Sequence, residues 1–369
     1  MSEQELDLPK GWVNIEFKKS INNIPLTGKK LKQKEYLESG KFPVIDQGQD
    51  FIGGFTNKEE FLVDCKLPVI IFGDHTKAIK FVNQEFVAGA DGVKVLQPKS
   101  FFVPKLLFYF TQAMPLPNKG YARHYQYLEK SKIKLPPLNE QKRIVSKIEE
   151  LFSKIDSTKQ SLEQTKLQLE QYRFSLLKSI FEGKEWKKIK IGDNLNFQYG
   201  KGLPKKDRKQ GKIPVYGSSG IAGYHNKALV ETPSLIVGRK GSAGSVYLAD
   251  QPFWPIDTTY FIEETAIYNL KFLFHLLIHL RLGSIDSSTA IPSLRRDDAY
   301  GLEIPLPSLE EQEQIVSQIE QGFSLIENTQ NIVNSTLQTL ETMKMSVLKQ
   351  AFEGKLVPQD PNDEPAHLH

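Results

Sequence analysis

The chain has 369 residues, 39% of them hydrophobic and 25% charged, which is the balance of globular protein and enough length for two or three domains. One cysteine, Cys65, excludes an internal disulfide framework and fits a reducing, cytoplasmic setting. The net charge of +4 hides an uneven spread: residues 8–135 carry +8 and residues 185–307 carry +4, a modest surplus that points toward a polyanion partner.

The start, MSEQELDLPKGW, is acidic and polar and reads as no secretory signal. Short apolar runs broken by Gly and Pro follow, and they predict a β-rich first domain over residues 1–136. It opens at Trp12 and continues through GKFPVIDQGQDFIGGFTN (Gly40–Asn57) to LPVIIFGDHTKA (Leu67–Ala78), a Val/Ile strand running into a turn that carries His75 and Lys77. FVPKLLFYF then predicts a short helix. GYARHYQY (Gly120–Tyr127) interleaves Arg123 and His124 with Tyr121 and Tyr125. Basic residues among aromatics suit groove contact, while the plain alternative is an edge segment with half-buried tyrosines.

Residues 137–184 read as one long helix. Ile144, Ile148, Leu151, Ile155, Thr158, Leu162, Thr165, Leu169, Tyr172 and Leu176 alternate in steps of four and three, a heptad seam sustained over four repeats. Asn139 is the expected N-cap, because Pro137 offers no side-chain acceptor. Gly183 stands where a helix end needs a left-handed residue.

A second β-rich domain is expected over residues 185–307. It opens at Trp186 and repeats the order of the first: YGKGLPKKDRK with Lys201, Lys205 and Lys206; GKIPVYGSSGIAGYHN with Ser218, Ser219, Tyr224 and His225; SLIVGRKGSAG with Arg239 and Lys240; and the apolar YNLKFLFHLLIHL, too short and too polar to cross a bilayer. SLRRDD then carries Arg295 and Arg296, with Asp297 and Asp298 placed to compete for them as local ion pairs. Arginine suits bidentate reading of guanine and lysine suits phosphate. Against that stand a hairpin whose glycines serve only the backbone and a lysine-rich loop that is merely solvated.

A second long helix is expected over residues 308–356, with a tail at 357–369. Its seam is Ile315, Ile319, Gly322, Ile326, Thr329, Val333, Thr336, Leu340, Met343 and Val347, and Ser308 with Glu311 has capping-box spacing. The stretches Leu135–Lys184 and Leu306–Lys355 align without a gap, identical at about half their positions and both ending in FEGK. Duplication at this period means two copies of one unit. Each helix would run about 44 residues, or about 65 Å. The simplest closure is antiparallel, with Leu162 opposite Val333 and the four seam threonines forming polar layers that set the register.

The duplicated LPxLxEQxxIVxxI helix openings, the FEGK ends, the LVPQDPNDEPA tail and the GRKGSAG loop resemble the specificity subunit of type I restriction–modification systems, over essentially the whole chain. The resemblance implies an α+β fold: two target-recognition domains separated by two long helices that pair as an antiparallel coiled coil, the whole a pseudo-twofold duplicate. It implies that each domain reads one half of an asymmetric bipartite target in double-stranded DNA. The helices would set the spacing, at most about 19 base pairs at about 3.4 Å each, and dock two modification subunits. S-adenosylmethionine, ATP and Mg would then belong to those methyltransferase subunits and to restriction subunits, with no cofactor in this chain. From the residues themselves there is no Walker A pattern, no methyltransferase core, no zinc cluster and no nucleophile set. A protein-binding coiled-coil adaptor and a stand-alone nuclease remain as rival readings.

Overall fold

The computed structural model describes residues 8–117, 120, 122–285 and 292–367. It divides into two compact units, one made of residues 1–161 with 336–369, the other of residues 162–335. Each unit holds one β-rich domain and a part of both long helices. The helices span Leu138–Phe181 and Leu309–Phe352, 44 residues each, the length that the heptad pattern predicts.

Among the described residues the two domains share one core topology, to which the first adds strand 30–31, parallel to 87–89. In the first, a four-stranded antiparallel sheet has the order 21–24, 93–98, 69–73, 79–82; in the second, the order is 198–199, 259–263, 234–238, 246–249. Beside it lies a mixed sheet, in which strand 42–45 pairs antiparallel with 54–56 and parallel with 87–89. Its counterpart pairs 213–217 with 220–225 and with 254–255 in the same senses. A two-stranded ribbon closes each domain beside its long helix, Val13–Glu16 on Lys132–Leu135 and Lys188–Lys190 on Glu303–Pro305. The central strands read VIIFG and SLIVG and are buried along their whole length, which explains continuous β-branched runs in place of alternation.

The apolar stretch at Tyr268–Leu280 forms a helix, Leu270–His279, with Phe272, Leu273, Leu276 and Leu277 buried. Its counterpart is Pro104–Ala113. Among the described residues no helix is long and apolar enough to cross a membrane.

The repeated helix start is explained by its glutamine. Gln141 and Gln312 are 1% and 0% exposed, so their amides must find partners inside the protein. Gln141 donates to the carbonyls of Phe101 (2.9 Å) and Pro136 (3.0 Å) and accepts from the Val103 amide (2.8 Å). Gln312 donates to Ile267 (2.9 Å) and Pro307 (3.0 Å) and accepts from the Asn269 amide (2.7 Å). Both glutamines therefore bolt a long helix to the segment that enters the short helix of the same domain. The FEGK end has a matching role. Phe352 stacks on Phe110 at 3.8 Å in the first unit, and Phe181 meets Phe272 edge-on at 5.5 Å in the second. Gly183 and Gly354 follow with φ of 73° and 70°, as a left-handed helix end requires.

Within each unit the two helix segments run antiparallel. In the first, Asp156 pairs with Lys344 (2.6 Å) and Lys159 with Glu341 (2.7 Å), one number rising as the other falls. In the second, the Arg173 guanidinium lies 4.2 Å from the Phe323 ring centre, and a Cβ at Gly322 would run into Leu176, so this seam glycine is the hole for a leucine knob. Ile144, Ile148, Ile155, Ile315, Ile319, Ile326, Val333, Leu340 and Val347 are buried, while Leu151, Leu162 and Leu169 are half-buried. Three expectations need correction. Tyr172 and Met343 are exposed, 53% and 46%. Thr158 and Thr329 turn their hydroxyls back to the carbonyls of Lys154 and Leu325 on their own helices, both at 2.8 Å, so these two satisfy local acceptors. Helix one starts at Leu138, which makes Asn139 an interior residue and leaves Pro137 at the cap position, where its carbonyl accepts from Gln141. At the second start, Ser308 and Glu311 form the expected reciprocal box, with the Ser308 amide donating to Glu311 at 2.9 Å.

Candidate nucleic-acid interface

Two segments far apart in sequence meet in the second domain. The strand Ser234–Gly238 ends in the loop that carries Arg239 and Lys240, and the stretch before the helix Arg296–Tyr300 is laid against that loop. The Leu294 amide donates to the Arg239 carbonyl (2.9 Å), the Gly241 amide to Pro292 (3.0 Å), and Lys240 bridges Ser293. Gly244 is obligatory here: its φ is 75°, and a Cβ would strike the backbone at Gly283. The structural role of these glycines and the outward display of the cations thus go together.

The guanidinium carbon of Arg239 lies 5.0 Å from the ring centre of Tyr199 and 6.0 Å from that of Tyr260. Arg296 lies 5.2 Å from Tyr199 and 5.6 Å from Tyr300. Two motifs that the sequence shows separately, GRKGSAG and SLRRDD, therefore share Tyr199 as a platform. The expected competition from Asp297 and Asp298 does not arise: among the described residues no carboxylate comes within 4.0 Å of the guanidinium of Arg295 or Arg296, nor of Arg239. Arg239 is further tied by Nη1 to the Asp257 carbonyl (3.1 Å), and Lys201 leaves the neighbouring turn, its amide on Pro255 (2.9 Å). Lys201, Lys240 and Arg295 are exposed around this centre, and Lys205 and Lys206 lie on an exposed 3-10 turn farther along the loop.

Ser219 and Tyr224 reach solvent. Ser218 and His225 do not: they are 8% and 7% exposed, and both depart from the reading that their polar tips reach bases. The Ser218 carbonyl accepts from Tyr247 and Ser245. The His225 ring accepts from the Lys209 amide through Nδ1 (3.0 Å) and meets Trp254 edge-on.

The first domain offers a different surface at the same place. The topology pairs Gly73 with Gly238, so Asp74, one residue earlier than expected, is the counterpart of Arg239, and His75 is the counterpart of Lys240. The Asp74 carbonyl accepts from the His124 amide (2.8 Å), as the Arg239 carbonyl does from Leu294. Its carboxylate is turned inward and accepts from the Tyr125 amide (2.8 Å). His124 and Tyr125 are 0% and 8% exposed and serve the fold, a second departure from the groove-contact reading. Burial pushes the Tyr125 phenol up to about 12. What remains outside is a cavity of about 390 Å³ lined by Lys30, His75, Lys94 and Arg123 together with Asp74 and Asp91. His75 accepts no strain itself, but Lys77 and Asp91 beside it adopt φ of 60° and 50°, the left-handed region that non-glycine residues enter where surrounding structure holds them. Tyr121 lies outside the described residues.

Sequence reasoning missed Tyr199, Lys30 and Lys94. Their partners lie tens of residues away, so no local spacing marks them. Among the described residues no group of three or more His, Cys, Asp or Glu could hold a metal ion.

The chain is thus a duplicated α+β scaffold, with one basic loop cluster on each domain and a long helix after each. A family model for the type I restriction modification DNA specificity domain matches residues 9–167 and again 183–337, and the chain belongs to that family. Among curated relatives, the specificity subunit of the Escherichia coli type I restriction enzyme EcoDI is 32% identical over 74 residues, 20% of this chain and 17% of that protein. That of EcoR124I/EcoR124II from the same organism is 32% identical over 88 residues, 23% of this chain and 22% of that protein. The chain thus spans about a fifth of the length of these relatives in matched sequence. Likeness of fold extends further. A chain from a structure on complex assembly and conformational transition of the type I R-M system superposes with a TM-score of 0.72 at 17% identity, covering 95% of this chain and 99% of that one. The HsdS subunit from Thermoanaerobacter tengcongensis gives 0.62 at 18% identity, covering 96% and 100%.

Proposed function

We propose that this chain is the DNA-specificity subunit of a type I restriction–modification complex and has no catalytic role of its own. Each domain reads one half of an asymmetric bipartite site in duplex DNA, and the long helices set the spacing. The observation that carries this reading is the pair of matched loop clusters. One scaffold displays Arg239, Lys240 and Arg296 in the second domain and His75, Lys94 and Arg123 in the first, so the two half-sites differ in sequence. Arginine forks suit base edges, and the exposed lysines around them suit phosphates. Partner subunits would carry S-adenosylmethionine, ATP and Mg and do the methylation and cleavage, in the cytoplasm. Leu167 and Phe174 on one helix, and Leu325 and Ile332 on the other, are exposed by 53% or more in stripes seven residues apart. That pattern supports docking of modification subunits on the helices.

Binding of the purified full chain to random duplex DNA across a salt series tests the reading. Log affinity should fall linearly with log salt, by about 0.9 per phosphate contacted. Absence of binding at every salt concentration would favour the protein-only adaptor, and sequence-specific cutting by the chain with a divalent metal would favour a nuclease.

A further inference from the structure

We propose that Arg239 and Arg296 read guanine edges in the half-site met by the second domain, and that Tyr199 is the positioning residue that holds both. The inference rests on the reading of this chain as a DNA-specificity subunit.

Three observations carry it. Arg239 and Arg296 are each half-buried as whole residues, yet among the described residues neither guanidinium pairs with a carboxylate, so each keeps donors for an outside acceptor. Arg296 Nε is buried with no hydrogen-bond partner among the described residues, so the fork that Arg296 can offer to DNA is its terminal Nη1–Nη2 edge. Both side chains lie against aromatic rings and Arg239 is also tied to the Asp257 carbonyl, so their planes are set before DNA arrives. A freely hydrated lysine satisfies a phosphate without such bracing, and Lys201, Lys240 and Arg295 nearby are exposed and unbraced in that way. A fixed planar fork matches the two coplanar acceptors, N7 and O6, that guanine shows in the major groove. The surface of Tyr199, 50% exposed between the two arginines, marks the face from which the groove would approach.

The geometry also limits the spacing. The two guanidinium carbons lie 5.0 and 5.2 Å from one ring centre, so they are at most about 10 Å apart. That is roughly three base steps of about 3.4 Å. Forks that reach in parallel into one groove therefore meet guanines within about four consecutive base pairs, on either strand.

The test is selection of a randomised duplex library by the full chain, followed by sequencing, for the wild type and for R239K, R296K, Y199F and Y199L. Lysine keeps the charge and loses the fork. R239K and R296K should each lower the preference for guanine at one position by roughly 5- to 150-fold. The salt slope and the preference in the other half-site should stay as in the wild type. Y199F keeps the ring and should select as the wild type does, while Y199L should weaken both positions together. The proposal is overturned if the lysine variants keep full guanine preference, or if affinity falls equally for all sequences, which marks phosphate contact. A half-site without two such guanines overturns it as well. A wild-type chain that selects no sequence sinks the specificity reading itself, and this proposal with it.

Discussion

Glu140 and Glu311 stand at the same position of the repeated helix start, three residues after the cap, and their surroundings push them in opposite directions. Glu311 is exposed; the Ser308 backbone amide and then its hydroxyl hold its carboxyl below the usual range. Glu140 has Pro137 in place of the serine, is 1% exposed, and takes the Trp12 indole N–H at 2.9 Å. Burial outweighs that bond and raises its carboxyl. A hydroxyl absent at one cap thus turns a surface device into a buried one, while Gln141 and Gln312, one residue on, do the same work in both copies. The repeat conserves what clamps helix to domain and lets the cap vary.

This contrast can be broken at three levels. The glutamine clamp should cost most. Gln141→Leu and Gln312→Leu each strip three backbone groups of their partners, and each should lose about 3–5 kcal/mol from its own domain. Denaturant unfolding of the full chain, read by domain-resolved hydrogen exchange, measures both, and a large inequality would refute the shared clamp. Next comes the cap. Ser308→Ala should cost about 1 kcal/mol in the second domain, whereas Pro137→Ser should give less than that in return, because Glu140 is already committed to Trp12. Melting midpoints of the two variants decide it.

The smallest effect is the pH dependence, and its sign differs between the copies. A raised folded pKa means that the first domain binds its proton more tightly than the unfolded chain does. Its contribution is favourable at low pH and is lost as pH rises from the ordinary value of 4.5 through the raised one. Glu311 is the reverse: its contribution is present above 4.5 and is lost as pH falls through its lowered value. Glu140→Gln should flatten the first trend and Glu311→Gln the second. Exchange protection of each domain between pH 3 and 7 reads both.

The sequence by itself determined the duplication, the two 44-residue helices, the capping box of the second and the glycine ends of both, and the β-rich character of both domains. Those features rest on local periodicity and backbone geometry, which short stretches of chain carry in full. It also marked Arg239 and Arg296 as cations worth watching. Only the tertiary structure decided that they share Tyr199, that His225 and His124 are internal, and that Asp74, not His75, is the counterpart of Arg239 in the first domain's topology. Those outcomes depend on pairings between residues tens of positions apart, where a one-residue slip in strand register exchanges an outward side chain for an inward one.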